Sequence, residues 1–265
     1  LMNDFYNLLD EKQVYFFPSS YKRSVAYGAE DAQGVVQRTA AMNAVKGFTK
    51  GYLIVCTYPE ALAERVADAE TLRRDTIAVK VGDSISIAVL EDALVDANFT
   101  RVDFVYEPGQ YSVRGGIVDV FSFSESKPYR IDFFGDEVDS IRRFNISSQL
   151  SADKLDRVEI IPNLNAGDGA AKVSFVQFAG DAAAYWFYDA DYVLRRVNDI
   201  RRKTLADMER PEEIDRLMTS RNALLGDLAN CRMLALRDNL PERPATAAVE
   251  FDTCLLYTSD AADDK

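Results

Sequence analysis

The stretch PYRIDFFGDE, residues 128–137, places the acidic pair Asp136 and Glu137 after a segment rich in large apolar residues. In ATPases, an acidic residue at the end of a buried strand helps to hold Mg²⁺. That chemistry also requires a phosphate-binding loop of the pattern GxxxxGK[ST], and the nearest fragment, Gly47–Gly51, does not match it. The run also alternates between polar and apolar side chains, whereas the strands of ATPase sheets are usually apolar on both faces. The pattern therefore predicts an antiparallel hairpin that turns at Gly135, Asp136 and Glu137.

The hairpin prediction assigns a face to each side chain of the first strand, because successive residues of a strand point in opposite directions. The core face consists of Tyr129, Ile131 and Phe133. The opposite, solvent-facing side carries Arg130, Asp132 and Phe134, and Arg114 in the neighbouring stretch YSVRGG is expected to lie near them. Arginine and aromatic side chains are enriched at protein-binding hot spots. Arg114, Arg130 and Phe134 are therefore candidate contact residues.

A structural alternative explains the same residues without a partner. In this alternative Phe134 covers the edge of the core, and the two arginines pair with Asp132 or Asp119. The pattern by itself favours this alternative.

The composition excludes several function classes. The chain of 265 residues has a formal net charge of −12, which argues against a domain that binds nucleic acid on its own, since such binding uses Lys and Arg to neutralise phosphates. It contains no histidine, and this excludes histidine bases, histidine zinc ligands and catalytic triads. The three cysteines form no CxxC motif, which fits a reducing cytosol. No apolar run approaches the ~18 residues of a membrane span, so we expect a cytoplasmic protein without a membrane partner.

Residues 1–75 have the pattern of an α/β domain. A helix is predicted from Glu30 to Val45, and GYLIVCT at 51–57 predicts a buried strand of the parallel type. Thr57 to Glu60 fits the capping box S/T-x-x-E and predicts a helix that continues to about Val66.

Residues 163–253 return to this α/β pattern. AYWFYD at 184–189 predicts a strand, and Asp189 or Asp191 is placed to cap a helix that runs to about Lys203. Pro211 starts a second predicted helix, and ATAAVEF at 245–251 predicts a further strand.

Residues 76–162 differ, because one helix is followed by short strands and turns. The helix is predicted from Ser86, and RVDFVY at 101–106 predicts a strand that ends in a type II turn at Pro108-Gly109. Gly115-Gly116 interrupts the next strand and predicts a bulge or a close backbone approach. Strands joined by such short turns form an antiparallel meander. The predicted fold class is therefore α/β, with an inserted α+β domain that contains an antiparallel β-meander.

Three stretches of this insert carry a family resemblance: YSVRGGIVDVFSF, PYRIDFFGDEVDSIRRFNISSQLS and DRVEIIPN. Together they resemble the UvrB-like N-terminal module of the bacterial transcription-repair coupling factors (Mfd). Those factors are ATP-driven DNA translocases that displace stalled RNA polymerase and recruit the excision-repair protein UvrA. The resemblance covers most of residues 1–253 and is strongest over 106–162. It implies a degenerate RecA-like (P-loop-type) domain that is incomplete at its N-terminus, because the segment equivalent to a Walker A loop would precede Leu1.

The resemblance also implies a site and its partners. The UvrA-contacting residues of the family correspond to Arg114, Arg130 and Phe134, so the resemblance favours the contact surface over the structural alternative. The fragment is expected to recruit UvrA without catalysis and without a cofactor, while ATP and Mg²⁺ belong to the translocase module of the parent. RNA polymerase and double-stranded DNA are expected as partners of the full-length protein, in the bacterial cytoplasm.

Two other hypotheses stay open. UvrB, the damage-recognition ATPase and helicase of excision repair, shares the inserted domain, and this chain would then be a fragment of it. Residues 16–34 lack the tyrosine-rich hairpin of UvrB, and the ending DSIRRFNISSQLS also favours a coupling factor. The other hypothesis is a β-rich interaction domain with an unknown partner.

The last twelve residues, CLLYTSDAADDK at 254–265, differ in composition from the rest of the chain. They resemble the translation of a sequencing adaptor, and the alternative is a disordered acidic tail. Both interpretations give the segment no structural role.

Overall fold

The computed structural model describes residues 2–9, 13–21, 31–164 and 171–235. These residues form a mixed α/β structure with two-stranded sheets and one six-stranded sheet. The strand predicted at 245–251 lies outside the described residues.

The buried apolar side chains form two large clusters, and the chain passes from the first to the second and back. The first cluster takes residues between Phe17 and Leu72 and again from Ile161 onward. The second takes residues from Val79 to Ile160. The residue ranges of the two clusters are similar to the predicted insertion of 76–162. The domain boundaries themselves stay a prediction.

The first part of the chain alternates helices with short strands. Its elements are α1 (Met2–Leu8), β1 (Val14–Phe17), α2 (Ala32–Gly47), β2 (Ile54–Thr57), α3 (Pro59–Ala63), β3 (Val66–Ala67) and α4 (Ala69–Asp75). β1 and β2 pair in parallel and α2 connects them, which is the arrangement of a βαβ unit. α2 buries Val35, Thr39 and Met42, as its three- and four-residue spacing predicts.

The capping box predicted at Thr57 is wrong. The N-cap of α3 is Tyr58, its side chain makes no capping hydrogen bond, and the helix ends at Ala63. The Thr57 hydroxyl instead donates to the Phe17 carbonyl at 2.9 Å. This bond joins β2 to β1, so a contact distant in sequence takes the hydroxyl away from the helix end.

The last described part packs helices on the first cluster. Its elements are β12 (Lys172–Val173), α6 (Phe175–Ala179), β13 (Ala184–Phe187), α7 (Ala190–Asp207), a 3₁₀ turn (Pro211–Glu213), α8 (Ile214–Leu217), α9 (Arg221–Leu228) and β14 (Arg232–Ala235). The predicted cap at Asp189 is confirmed, since its carboxylate accepts from the Tyr192 amide at 2.8 Å. The single helix predicted from Pro211 is wrong, because the helix ends after α8 and a separate helix, α9, begins with Ser220 as its N-cap. β13 and β14 pair in parallel.

The middle of the chain forms the antiparallel meander. Its elements are β4 (Ile77–Lys80), α5 (Ile87–Asp96), β5 (Thr100–Arg101), β6 (Gln110–Arg114), β7 (Ile117–Val120), β8 (Tyr129–Phe134), β9 (Glu137–Phe144), β10 (Ser151–Leu155) and β11 (Arg157–Ile160). The six strands β5 to β10 make one sheet in chain order, and only the pair β5–β6 is parallel. The Ser86 hydroxyl caps α5, which buries Leu90 and Leu94 as predicted.

The strand predicted at 101–106 is wrong beyond its first residue, because β5 covers only Thr100–Arg101. The turn that follows is confirmed: Gly109 has φ +85°, and the Gln110 amide donates to the Glu107 carbonyl at 3.2 Å.

Gly115 and Gly116 form a two-residue hairpin loop between β6 and β7 rather than a bulge. Gly115 has φ +58°, a conformation that glycine adopts without strain. A Cβ at Gly116 would lie 3.0 Å from the Phe133 carbonyl oxygen, so the predicted close backbone approach is confirmed.

Candidate functional site

The strand β8 separates its side chains onto two faces as predicted. Tyr129 and Ile131 are buried in the second cluster, and Phe133 packs against it. Phe134, the last residue of the strand, is 83% exposed. The turn is shorter than predicted, because Glu137 is already paired with Phe134 as the first residue of β9.

Asp119 of β7 binds both candidate arginines. It lies directly opposite Arg130, whose Nε donates to Oδ1 at 2.7 Å and whose Nη2 donates to Oδ2 at 2.9 Å. Arg114 donates from Nη2 to the same Oδ2 at 2.5 Å. The Asp119 side chain is only 1% exposed. We call these three residues the Asp119 cluster.

Arg130 is held on three sides. Its guanidinium carbon lies 4.4 Å from the centre of the Phe144 ring, and it donates to the backbone carbonyl and the side-chain oxygen of Gln149 at 3.3 and 3.4 Å. Its side chain is 15% exposed. The hydrogen bonds to Asp119 and the attraction of that carboxylate raise the pKa of Arg130, although burial opposes them.

Arg114 is more open to solvent, with 35% of its side chain exposed. Its Nη1 donates to the Asp103 carbonyl at 2.9 Å, and its guanidinium carbon lies 4.9 Å from the centre of the Phe104 ring. A shallow cavity of about 420 Å³ adjoins it and is lined by Arg101, Val102, Asp103, Phe104, Val113 and Arg114.

Phe104 is a contact that sequence reasoning missed. It lies in the segment wrongly predicted as a strand, and alternation alone gave no reason to single it out. Its ring is half exposed and stacks with Arg114, so it belongs to the same surface. The partial signal in the sequence was the pair of aromatic residues Phe104 and Tyr106, both of which are exposed.

The structure brings Arg114 and Arg130 together on Asp119, and Phe134 lies on the same side of β8 as Arg130, four residues further along the strand. The arginines pair with Asp119, as the structural alternative supposes, while Asp132 accepts hydrogen bonds from Arg142 and Ser140. Phe134 does not cover the core edge, because its ring is exposed. The contact role of Arg114, Arg130 and Phe134 stays a prediction.

Comparison with known families identifies this sheet. Residues 77–165 match the family model described as the UvrB interaction domain. The match begins at β4 and ends just after β11, so it covers the whole second cluster and the candidate surface.

Curated proteins give a consistent result. The chain is 30% identical over 161 residues to the transcription-repair-coupling factor of Bacillus subtilis, which is 60% of this chain and 13% of that protein. It is 31% identical over 128 residues to the factor of Escherichia coli, and 30% identical over 128 residues to that of Haemophilus influenzae. In both cases the alignment covers 48% of this chain and 11% of the relative. The resemblance to coupling factors is confirmed, and the chain spans about an eighth of the length of these relatives.

Within the described residues, no helix combines the length and the apolar character that crossing a membrane requires.

Proposed function

We propose that this chain is a non-catalytic module of a transcription-repair coupling factor that recruits UvrA through its UvrB interaction domain. The names of the relatives support the coupling role, and the family of residues 77–165 supports an interaction with a UvrA-type repair protein.

One observation carries the proposal: the exposed Phe134 shares a sheet face with two anchored guanidinium groups. An 83% exposed phenylalanine at the end of a well-paired strand leaves a large apolar ring in water. Burying that ring in a partner pocket recovers roughly 1.5–3 kcal/mol. Exposed aromatic rings beside arginines are a typical composition of a binding hot spot.

The arginines supply direction in this proposal. The bonds of Arg114 to Asp119 and Asp103 use two of the five N–H donors of its guanidinium, and the other three donate to no further group among the described residues, which leaves them for carboxylates of UvrA. Arg130 is more enclosed, so its main part is to hold the face in shape while its edge contributes charge.

The remaining parts of the coupling function belong to other regions of the parent. ATP and Mg²⁺ act in a translocase module, and RNA polymerase and double-stranded DNA bind outside the described domain. The flanking residues form a degenerate RecA-like scaffold in the bacterial cytoplasm. The parallel pairs β1–β2 and β13–β14, each joined through helices, support this assignment of the scaffold.

Calorimetric titration of UvrA with the chain tests the proposal. Phe134→Ala is expected to weaken binding about 30-fold, which corresponds to ~2 kcal/mol, and Arg130→Ala is expected to weaken it as well. Trp186→Ala is the matched control, since Trp186 is another highly exposed aromatic residue at a strand position, in β13, with 70% exposure. Equal effects of Phe134→Ala and Trp186→Ala, or no binding by the unaltered chain, would contradict the proposal.

A further inference from the structure

Asp119 binds two guanidinium groups, although one is enough to neutralise its charge. Burying a carboxylate is costly unless it is paired and hydrogen-bonded. Arg130 alone meets this need, because its Nε and Nη2 bind the two oxygens of Asp119 in the bidentate geometry. The second guanidinium, from Arg114, adds a positive charge that the cluster does not need for its own burial.

The surplus charge lies at the surface. Arg114 is the more exposed of the two arginines, and it binds the Oδ2 atom that Arg130 already occupies. The cluster of two guanidinium groups and one carboxylate therefore keeps a net charge of about +1 on a chain whose total is −12.

Both arginines are fixed before any partner arrives. Arg130 rests on Phe144 and Gln149, and Arg114 rests on Phe104 and the Asp103 carbonyl. An ordered side chain loses less conformational entropy on binding, by roughly 0.5–1.5 kcal/mol for each rotamer-rich residue. Among the residues that the structure describes, Asp119 is the group that binds both guanidiniums, so it sets their spacing.

We infer that Asp119 is the positioning residue of the candidate surface: its buried carboxylate holds Arg114 and Arg130 as one preorganised unit that binds acidic groups of the partner. This inference rests on the proposed function. Asp119 itself is buried and does not touch the partner.

The first experiment compares Asp119→Asn with Asp132→Asn by calorimetry against UvrA. Asp132 is the matched control, because it is a carboxylate on the same face that binds Arg142 and Ser140 instead. Asp119→Asn is expected to weaken binding at least about tenfold, and Asp132→Asn less than about threefold. Thermal unfolding and circular dichroism of each variant establish that the folded chain is being measured.

Measuring Asp119→Asn in two variant backgrounds distinguishes a positioning role of Asp119 from a merely structural one. In the double variant Arg114→Ala, Arg130→Ala, the added change Asp119→Asn should alter affinity less than about threefold, since its effect passes through the arginines. In the background Phe134→Ala it should retain its full effect. Equal weakening in both backgrounds would mean that Asp119 acts through the general stability of the sheet and would overturn the inference.

A second test leaves Asp119 intact in case Asp119→Asn does not fold. Arg114→Ala and Arg130→Ala are combined in a double-mutant cycle, and the loss in the double variant is expected to differ from the product of the single losses by at least about threefold. Independent losses would overturn the inference while leaving UvrA binding in place. Failure of the unaltered chain to bind UvrA would refute the proposed function, and with it the positioning role of Asp119.

Discussion

The guanidinium of Arg130 lies over the ring of Phe144, with 4.4 Å between its central carbon and the ring centre. Phe144 is completely buried and forms a small cluster with Val105 and Phe121 on the side of the sheet that carries Arg130. A cation over an aromatic face is stabilised by about 0.5–2 kcal/mol. The solvent-facing side of the sheet therefore has a small core of its own, which supports the Asp119 cluster from below.

Replacing Phe144 by alanine is expected to lower the free energy of unfolding by about 3–5 kcal/mol, because the change opens a cavity and removes the support of Arg130. Urea unfolding measures the loss. Phe48→Ala is the control, since Phe48 is 45% exposed just after α2, and a loss below about 1 kcal/mol is expected there. Similar losses of unfolding free energy at the two positions would contradict a role of Phe144 in supporting Arg130.

Two glycines separate backbone strain from side-chain crowding. Gly109 and Gly82 have nearly identical φ angles, +85° and +86°. A Cβ at Gly109 would lie 2.8 Å from two ring carbons of Phe123, whereas a Cβ at Gly82 would meet open space. Gly82→Ala is expected to cost about 1 kcal/mol for the strained φ alone. Gly109→Ala is expected to cost at least about 1 kcal/mol more, because Phe123 must leave its edge contact with Phe99.

Urea unfolding of the two glycine variants checks this difference. Equal losses would indicate that the Phe123 ring moves aside freely and that the turn at Pro108-Gly109 is constrained only by its backbone.

Glu64 is the centre of a buried polar network in the first cluster. Its carboxylate accepts from the hydroxyls of Ser19 and Ser20, the latter at 2.6 Å, and from the Ser20 amide at 3.0 Å. Arg38 lies 3.5 Å away and is almost fully buried. Burial lowers the pKa of Arg38, while the charge of Glu64 opposes that shift.

Glu64→Gln is expected to lower the free energy of unfolding by about 3 kcal/mol, because it leaves the Arg38 charge buried without its counter-charge. Glu60→Gln is the matched control one helical turn earlier. Glu60 pairs at 2.9 Å with Arg196 on the surface, where an ion pair contributes less than about 1 kcal/mol. A loss at Glu64 no larger than that at Glu60 would contradict a buried network.

Local patterns predicted much of the fold and part of the site. Alternation placed Tyr129 and Ile131 in the core and Phe134 in solvent, because the direction of a side chain in a strand depends only on its position in that strand. The helix start at Ser86 and the cap at Asp189, one of two aspartates that the sequence offered, were predictable because a cap needs only the amides two or three residues away.

Features that depend on partners distant in sequence were not predictable in the same way. Thr57 matched a capping box, but its hydroxyl binds the Phe17 carbonyl across the sheet. The strand expected at 101–106 ends at Arg101, and Val105 beyond it packs with Phe121 and Phe144, which are distant in sequence. Arg130 pairs with Asp119 rather than with Asp132 because of the register between β7 and β8. The sequence of either strand alone does not determine that register.

Tyr129 gives the six-stranded sheet a measurable dependence on alkaline pH. Burial of its phenol raises the pKa, and the nearby Glu125 carboxylate adds to the shift, while Arg143 opposes it. The folded pKa therefore lies above the unfolded value of about 10. The stability of the fold that depends on a protonated Tyr129 phenol is fully present below pH 10. It is lost as the pH rises further, because only the unfolded chain then releases the proton. Between pH 10 and pH 11 the wild type should lose about 1 kcal/mol more stability than Tyr129→Phe. Urea unfolding from pH 8 to pH 11 measures both curves.

Tyr185→Phe provides a second site in the other cluster, where burial also raises the tyrosine pKa, and the same change in slope is expected. Parallel curves for wild type and Tyr129→Phe would mean that the Tyr129 phenol ionises as readily in the folded sheet as in the unfolded chain.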